Sequence, residues 1–92
     1  MERKDVEVFA EASNYAIVRM PGRQFPGYVV QGDSLSILCS LAGLIHRNVT
    51  RLGDDELADD AAELLGFLED RLKHYEQVLA ENKIELPYVK PR

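Results

Sequence analysis

The spacing of apolar positions changes once along this chain, near residue 32. Before that point the apolar residues come in short mixed runs. Asp5-Val-Glu-Val-Phe-Ala10 and Asn14-Tyr-Ala-Ile-Val-Arg-Met20 combine β-branched and aromatic residues with polar ones, and Ala12-Ser-Asn14 supplies turn chemistry between them. The pattern predicts an antiparallel pair. In the second run Ala16, Val18 and Met20 fall on one face, all apolar and therefore the expected core side, while Tyr15, Ile17 and Arg19 share the other. Tyr28-Val-Val-Gln31 predicts a third strand that ends at Gly32.

After residue 32 the spacing becomes three and four. Leu35, Leu38, Leu41, Ala42, Ile45 and Val49 predict the buried stripe of a helix, with Asp33 or Ser34 as its N-cap, Arg47 and Arg51 near its negative pole, and Gly53 closing it. A second helix opens at Asp54 or Asp55. Its stripe is Ala61, Leu65, Leu68, Leu72, Tyr75 and Leu79, with Leu57, Leu64 and Val78 as an apolar flank. Over residues 54–82 such a helix measures about 43 Å, longer than most globular helices. The double flank can serve the first helix and the sheet, or another subunit, and so predicts a homodimer.

The prolines in Ile84-Glu-Leu-Pro-Tyr-Val-Lys-Pro-Arg92 exclude a third helix, and Ile84, Leu86 and Tyr88 are expected to lay an extended tail on the core. The expected fold is α+β: a three-stranded antiparallel sheet followed by a two-helix hairpin packed on one face, with an extended C-terminal tail. Residues 1–92 read as a single domain.

Size and charge narrow the function classes. A domain of 92 residues buries only about 60–65 % of the surface its unfolded chain exposes, so a monomeric core is small. Residues 1–52 carry six Lys/Arg against five Asp/Glu, whereas residues 53–92 carry five against eleven. That acidity disfavours nucleic acid and anionic lipid and suits a basic protein partner. One cysteine, Cys39, rules out an internal disulfide, and neither a signal h-region nor a membrane-length apolar span is present. The expectation is a cytoplasmic protein with no membrane partner.

The densest chemistry lies in Arg19-Met-Pro-Gly-Arg-Gln-Phe-Pro-Gly-Tyr-Val-Val-Gln-Gly-Asp-Ser-Leu35. Pro21-Gly22 and Pro26-Gly27 each fit the central positions of a type II turn. Arg19, Arg23, Phe25 and Tyr28 cluster on this segment, and aromatics with arginines on a rigid loop are the composition of binding hot spots. A second candidate surface is Asp59, Asp60 and Glu63, within a run of six carboxylates in ten residues. Like charges at i, i+4 cost helix stability, and these three lie beyond the first turn, where the dipole would compensate them.

Catalytic readings find less support. Gly32-Asp33-Ser34-Leu35 has a superficial likeness to the nucleophile segment of Ser-Lys proteases, but Lys73 reads as solvent-facing rather than as an amine held in an apolar site. Carboxylate-bridged metal enzymes need a second acidic pair on the facing helix, and residues 35–50 contain no Asp or Glu. Cys39, His46 and His74 form no zinc pattern. No catalytic residue, metal ligand or cofactor is assigned.

The residues Arg19, Pro21-Gly-Arg23, Phe25-Pro-Gly27, Val30-Gln-Gly-Asp-Ser-Leu35, Tyr75-Glu76, Val78-Leu79 and Leu86-Pro-Tyr88 resemble a family of small bacterial proteins of about this length, classed as a domain of unknown function. The likeness covers nearly the whole chain. It implies a bacterial, cytoplasmic single domain and carries over no site residue. The function expected from the residues is a non-catalytic protein-binding module, with an immunity- or antitoxin-like inhibitor as one form of it. The alternative is a small-molecule or phosphate-metabolite binding or sensor protein using Arg19, Arg23 and the amides after Gly32.

Overall fold

A computed structural model describes residues 1–90. Three strands, β1 (Glu7–Ala12), β2 (Tyr15–Arg19) and β3 (Gly27–Val30), precede two helices, α1 (Gly32–Thr50) and α2 (Asp55–Glu81). The sheet is antiparallel in the order β1-β2-β3. Ala12 pairs with Tyr15 across a two-residue turn, and Phe9 is the extra residue of a bulge between Val8 and Ala10. Tyr15 pairs with Val30 and Ile17 with Tyr28. The α+β order of elements is the one the spacing predicts.

The two Pro-Gly signals have different fates. Around Pro21-Gly22 the Arg23 amide donates to the Met20 carbonyl at 3.1 Å, and Gly22 takes a φ of 78°, the positive value that position three of a type II turn requires. Gly27 does not sit in a turn of that kind. It is the first residue of β3 and pairs with Val18, while Pro26, which has no amide to donate, stands just before the strand.

Helix ends also depart from the expected caps. The N-cap of α1 is Gln31, with no side-chain capping bond, and Asp33 Oδ1 instead accepts from the adjacent Ser34 amide at 2.9 Å. Gly32, the first residue of the helix, is buried under Tyr75 of α2, and a Cβ there would overlap the tyrosine ring. The helix starts two residues earlier than a cap at Asp33 would have it. Asp54 caps α2 as expected, accepting from the Leu57 amide at 3.0 Å. At the other end Lys83 takes a φ of 56°, and its amide and that of Ile84 donate to the carbonyls of Ala80 and Leu79, a Schellman closure with lysine where glycine is usual.

The helices pack on each other as an antiparallel hairpin, and α2 turns the predicted stripe inward: Ala61, Leu65, Leu68, Leu72, Tyr75 and Leu79 are all half-buried. On α1 the stripe is corrected. Leu35, Ala42 and Val49 lie inward, together with Cys39 and Gly32, but Leu38, Leu41 and Ile45 face out. This helix is apolar almost all round, so periodicity alone could not choose its inner face. The side with the small residues Gly32, Ser36, Cys39, Ala42 and Gly43 lets the second helix come close.

Packing between sheet and helices is sparse. The expected covering of one sheet face by the hairpin is slight, since Val8, Val29 and Met20 remain exposed. Among the described residues only Cys39 and Ala42 are buried hydrophobic side chains. The chain exposes 7764 Å², whereas a folded monomer of this mass is expected to expose about 5,400 Å². Its radius of gyration is 16.1 Å against about 12 Å for a compact domain of this length. The tail follows α2, and Tyr88 is half-buried beside it; the last two residues of the expected tail segment, Pro91 and Arg92, lie outside the described residues.

Candidate functional site

The alternation of β2 and its register with both neighbours place Phe9, Arg19, Tyr15 and Tyr28 on one face of the sheet. The Arg19 guanidinium donates to both carboxylate oxygens of Glu7, at 2.7 and 3.0 Å, and lies 5.3 Å from the centre of the Phe9 ring. It also reaches the Gln24 carbonyl at 3.4 Å, which ties the strand to the loop carrying Arg23 and Phe25. Tyr15 and Tyr28 face each other across the β2–β3 pair with ring centres 5.5 Å apart. Phe25 projects from the loop, 75 % exposed.

Hydrogen bonding to Arg19 holds the Glu7 carboxyl below its ordinary range and raises the Arg19 guanidinium further. Both groups therefore stay charged through the neutral range. This arrangement orders Arg19 but also commits it, so its charge is already matched. Two of the four loop and strand candidates, Arg19 and Tyr28, share the sheet face; Phe25 stands exposed on the adjoining loop, and Arg23 closes the Pro21-Gly22 turn.

Asp59, Asp60 and Glu63 are not part of that surface. They are exposed on the first turns of α2, and because Leu65 lies beside Gly43, they stand level with the second half of α1. The sheet joins α1 at its first residue, about 20 Å away along the helix axis. The seven candidate residues thus divide between the two ends of the molecule.

A third feature escaped the sequence reading. Between the helices and the tail runs an open groove of about 640 Å³, lined on α1 by Ser36, Cys39, Ser40, Gly43 and Arg47 and on α2 by Glu69, Lys73 and Glu76. Tyr88 and Lys90 close one end: the Tyr88 hydroxyl donates to Glu76 at 2.9 Å, and the Lys90 ammonium lies 3.7 Å from the same carboxylate. Burial, reinforced by the bond to Glu76, raises the Tyr88 phenol well above its usual range. Burial likewise raises the Cys39 thiol, with Glu69 and Glu76 adding to it, so Cys39 stays a protonated, weakly nucleophilic packing residue near pH 7. The small residues at helical spacing on α1 were the available signal for this groove, but they also fit an ordinary close helix contact.

Among the described residues no group of His, Cys, Asp or Glu is gathered closely enough to hold a metal ion, and no helix is long and apolar enough to cross a membrane. Ser34 and Lys73 belong to different surroundings, the first at the start of α1 and the second on the groove. Neither a curated protein nor a solved structure matches this chain. A family model does, over residues 1–88, and the chain belongs to that family of unknown function, DUF6959.

Proposed function

We propose that this chain is a non-catalytic protein-binding module that engages its partner through the aromatic and arginine face of its sheet. The observation that carries the reading is the cluster of exposed Phe9, Tyr15 and Tyr28 around half-buried Arg19, beside Phe25. Tyrosine, phenylalanine and arginine are the residues enriched at protein interfaces, where one large rigid group removes much surface from water at little entropic cost. Here the side chains are already held: Arg19 by Glu7 and Gln24, Phe9 by Arg19, and Tyr15 by Tyr28. Such pre-ordering reduces the cost of association.

The phosphate-metabolite alternative is less well supported. Arg19 is committed to Glu7, and Asp33 places a carboxylate in the first turn of α1, where an anion would have to sit. An inhibitor of the immunity or antitoxin kind is a narrower form of the binding reading, in which Asp59, Asp60 and Glu63 would meet a basic surface at the far end. A cytoplasmic setting suits the single unpaired Cys39.

The test is capture from native lysate with immobilised wild type, Tyr28→Ala and Phe25→Ala in parallel, followed by titration of the recovered protein. A partner that binds wild type and binds either variant at least tenfold more weakly supports the reading. Equal retention on all three removes the sheet face from the interaction.

A further inference from the structure

We propose that two copies of this chain associate through the apolar side of the helical hairpin, burying Leu38, Leu41 and Ile45 of α1 together with Leu64 and Phe67 of α2. At 3.6 residues per turn, the three α1 residues lie on the flank away from Ser36, Ser40 and Arg47, and Leu64 and Phe67 lie on the flank away from Glu69, Lys73 and Glu76. The hairpin therefore has a polar, grooved side and an apolar side. Because Leu65 sits beside Gly43 in an antiparallel pair, Ile45 comes level with Leu64, and Leu41 with Phe67, making one continuous patch. Leu41, Ile45 and Phe67 are each just over half exposed, and residues 34–45 contain no charged side chain.

The exposed area of the whole chain, the uncovered sheet included, leaves room for a dimer interface. Each chain exposes 7764 Å², about 2,400 Å² more than a folded monomer of its mass should. A standard interface removes about 800 Å² per partner, and obligate homodimers remove considerably more. With Cys39 and Ala42 as the only buried hydrophobic side chains among the described residues, the hairpin lacks the interior to persist alone while awaiting a different protein. The covering surface has to be present when the chain folds, and a second copy always is. On α1 the patch carries no charge, and packing about a twofold axis along that helix makes it self-complementary, as an isologous contact requires; on α2, Asp60 and Arg71 share the face of Leu64 and Phe67. Arg71 lies on the same face, its guanidinium 3.3 Å from the centre of the Phe67 ring, where it can cover that ring in the contact.

Sedimentation equilibrium over a dilution series tests this. The expected mass is twice the 10.4 kDa of one chain, and the thermal midpoint should rise with protein concentration. Ile45→Glu and Leu41→Glu should weaken association at least a hundredfold, and Lys73→Glu on the grooved side should leave the mass unchanged. If the Glu variants do not fold, the concentration dependence of the wild-type midpoint still decides. A folded wild-type monomer with a constant midpoint overturns the proposal. So does a dimer that survives Ile45→Glu but dissociates on Val29→Glu in the sheet. Tyr28→Ala should leave the dimer intact, so failure of the sheet-binding reading and failure of this one are seen separately.

Discussion

The inner and outer sides of α1 invert the usual arrangement. Toward α2 the helix presents Gly32, Cys39, Ala42 and Gly43 with Leu35 and Val49, while most of its large aliphatic residues, Ile37, Leu38, Leu41, Leu44 and Ile45, face away. Small residues allow two helices to approach closely but bury little apolar area. Burial contributes roughly 25 cal/mol per Å², so a contact made of small side chains fixes geometry more than it stabilises. The large side chains would supply the missing area only when something covers them. The difference teaches that this helix has one side shaped for close approach within the chain and another that leaves large apolar side chains uncovered.

The sharpest way to break that comparison is truncation on the outer side. Ile45→Ala should cost about 2–5 kcal/mol if a second copy buries it, and within about 0.5 kcal/mol if it is free surface. Urea unfolding at two protein concentrations distinguishes the cases. On the inner side Gly32→Ala should destabilise by about 1–3 kcal/mol, because the added methyl meets the Tyr75 ring and the core must be overpacked to accept it. An unchanged melting temperature would mean that the close approach at this end of the hairpin is not a constraint.

Smaller effects calibrate the two sides against purely local changes. Asp54→Ala removes the cap of α2 and should cost about 1 kcal/mol by denaturant unfolding. Lys83→Gly should stabilise by about 0.5–1 kcal/mol, since glycine relieves a left-handed backbone that lysine adopts at a cost. Neither change should alter the oligomeric state.

The last test concerns the grooved side and pH. The Tyr88 phenol is raised above its ordinary value of 10.0 by burial and by Glu76. Its contribution is therefore fully present below pH 10 and is lost as the pH rises further, because the unfolded chain gives up the proton first. Wild type should lose stability above pH 10 more steeply than Tyr88→Phe in melts compared at matched pH. Parallel curves would show that the hydroxyl bond to Glu76 does not hold the tail in solution.

Much of the fold was legible because local rules and tertiary structure agreed. Period two before residue 32 and period three to four after it assigned all five elements, the Pro21-Gly22 turn and the cap at Asp54. The α2 stripe was correct residue for residue because it is the one face of that helix with an apolar residue at every turn, the neighbouring flank being interrupted by charge. α1 offered no such contrast, and Leu38, Leu41 and Ile45 were assigned to the wrong side. Pro26-Gly27 misled for a related reason: the dipeptide permits a turn, but cross-strand pairing of Gly27 with Val18 took precedence.

The candidate site was legible in its residue types and not in its geometry. Arg19 could be placed, facing outward, by alternation along its strand, whereas the face of Tyr28 depends on the β2–β3 register. Its bidentate engagement by Glu7 could not, because the two residues lie twelve positions apart and the Phe9 bulge sets their register. The groove joins two helices and the tail, and no single stretch of chain contains it. By itself the sequence determined what short-range periodicity and capping can encode: the elements, their order and the inward face of α2. Only the tertiary structure decided which side of α1 met α2, how little of the sheet was covered and how much apolar surface was left. Those depend on close approach between distant segments, where a single missing Cβ at Gly32 outweighs a wide choice of leucines.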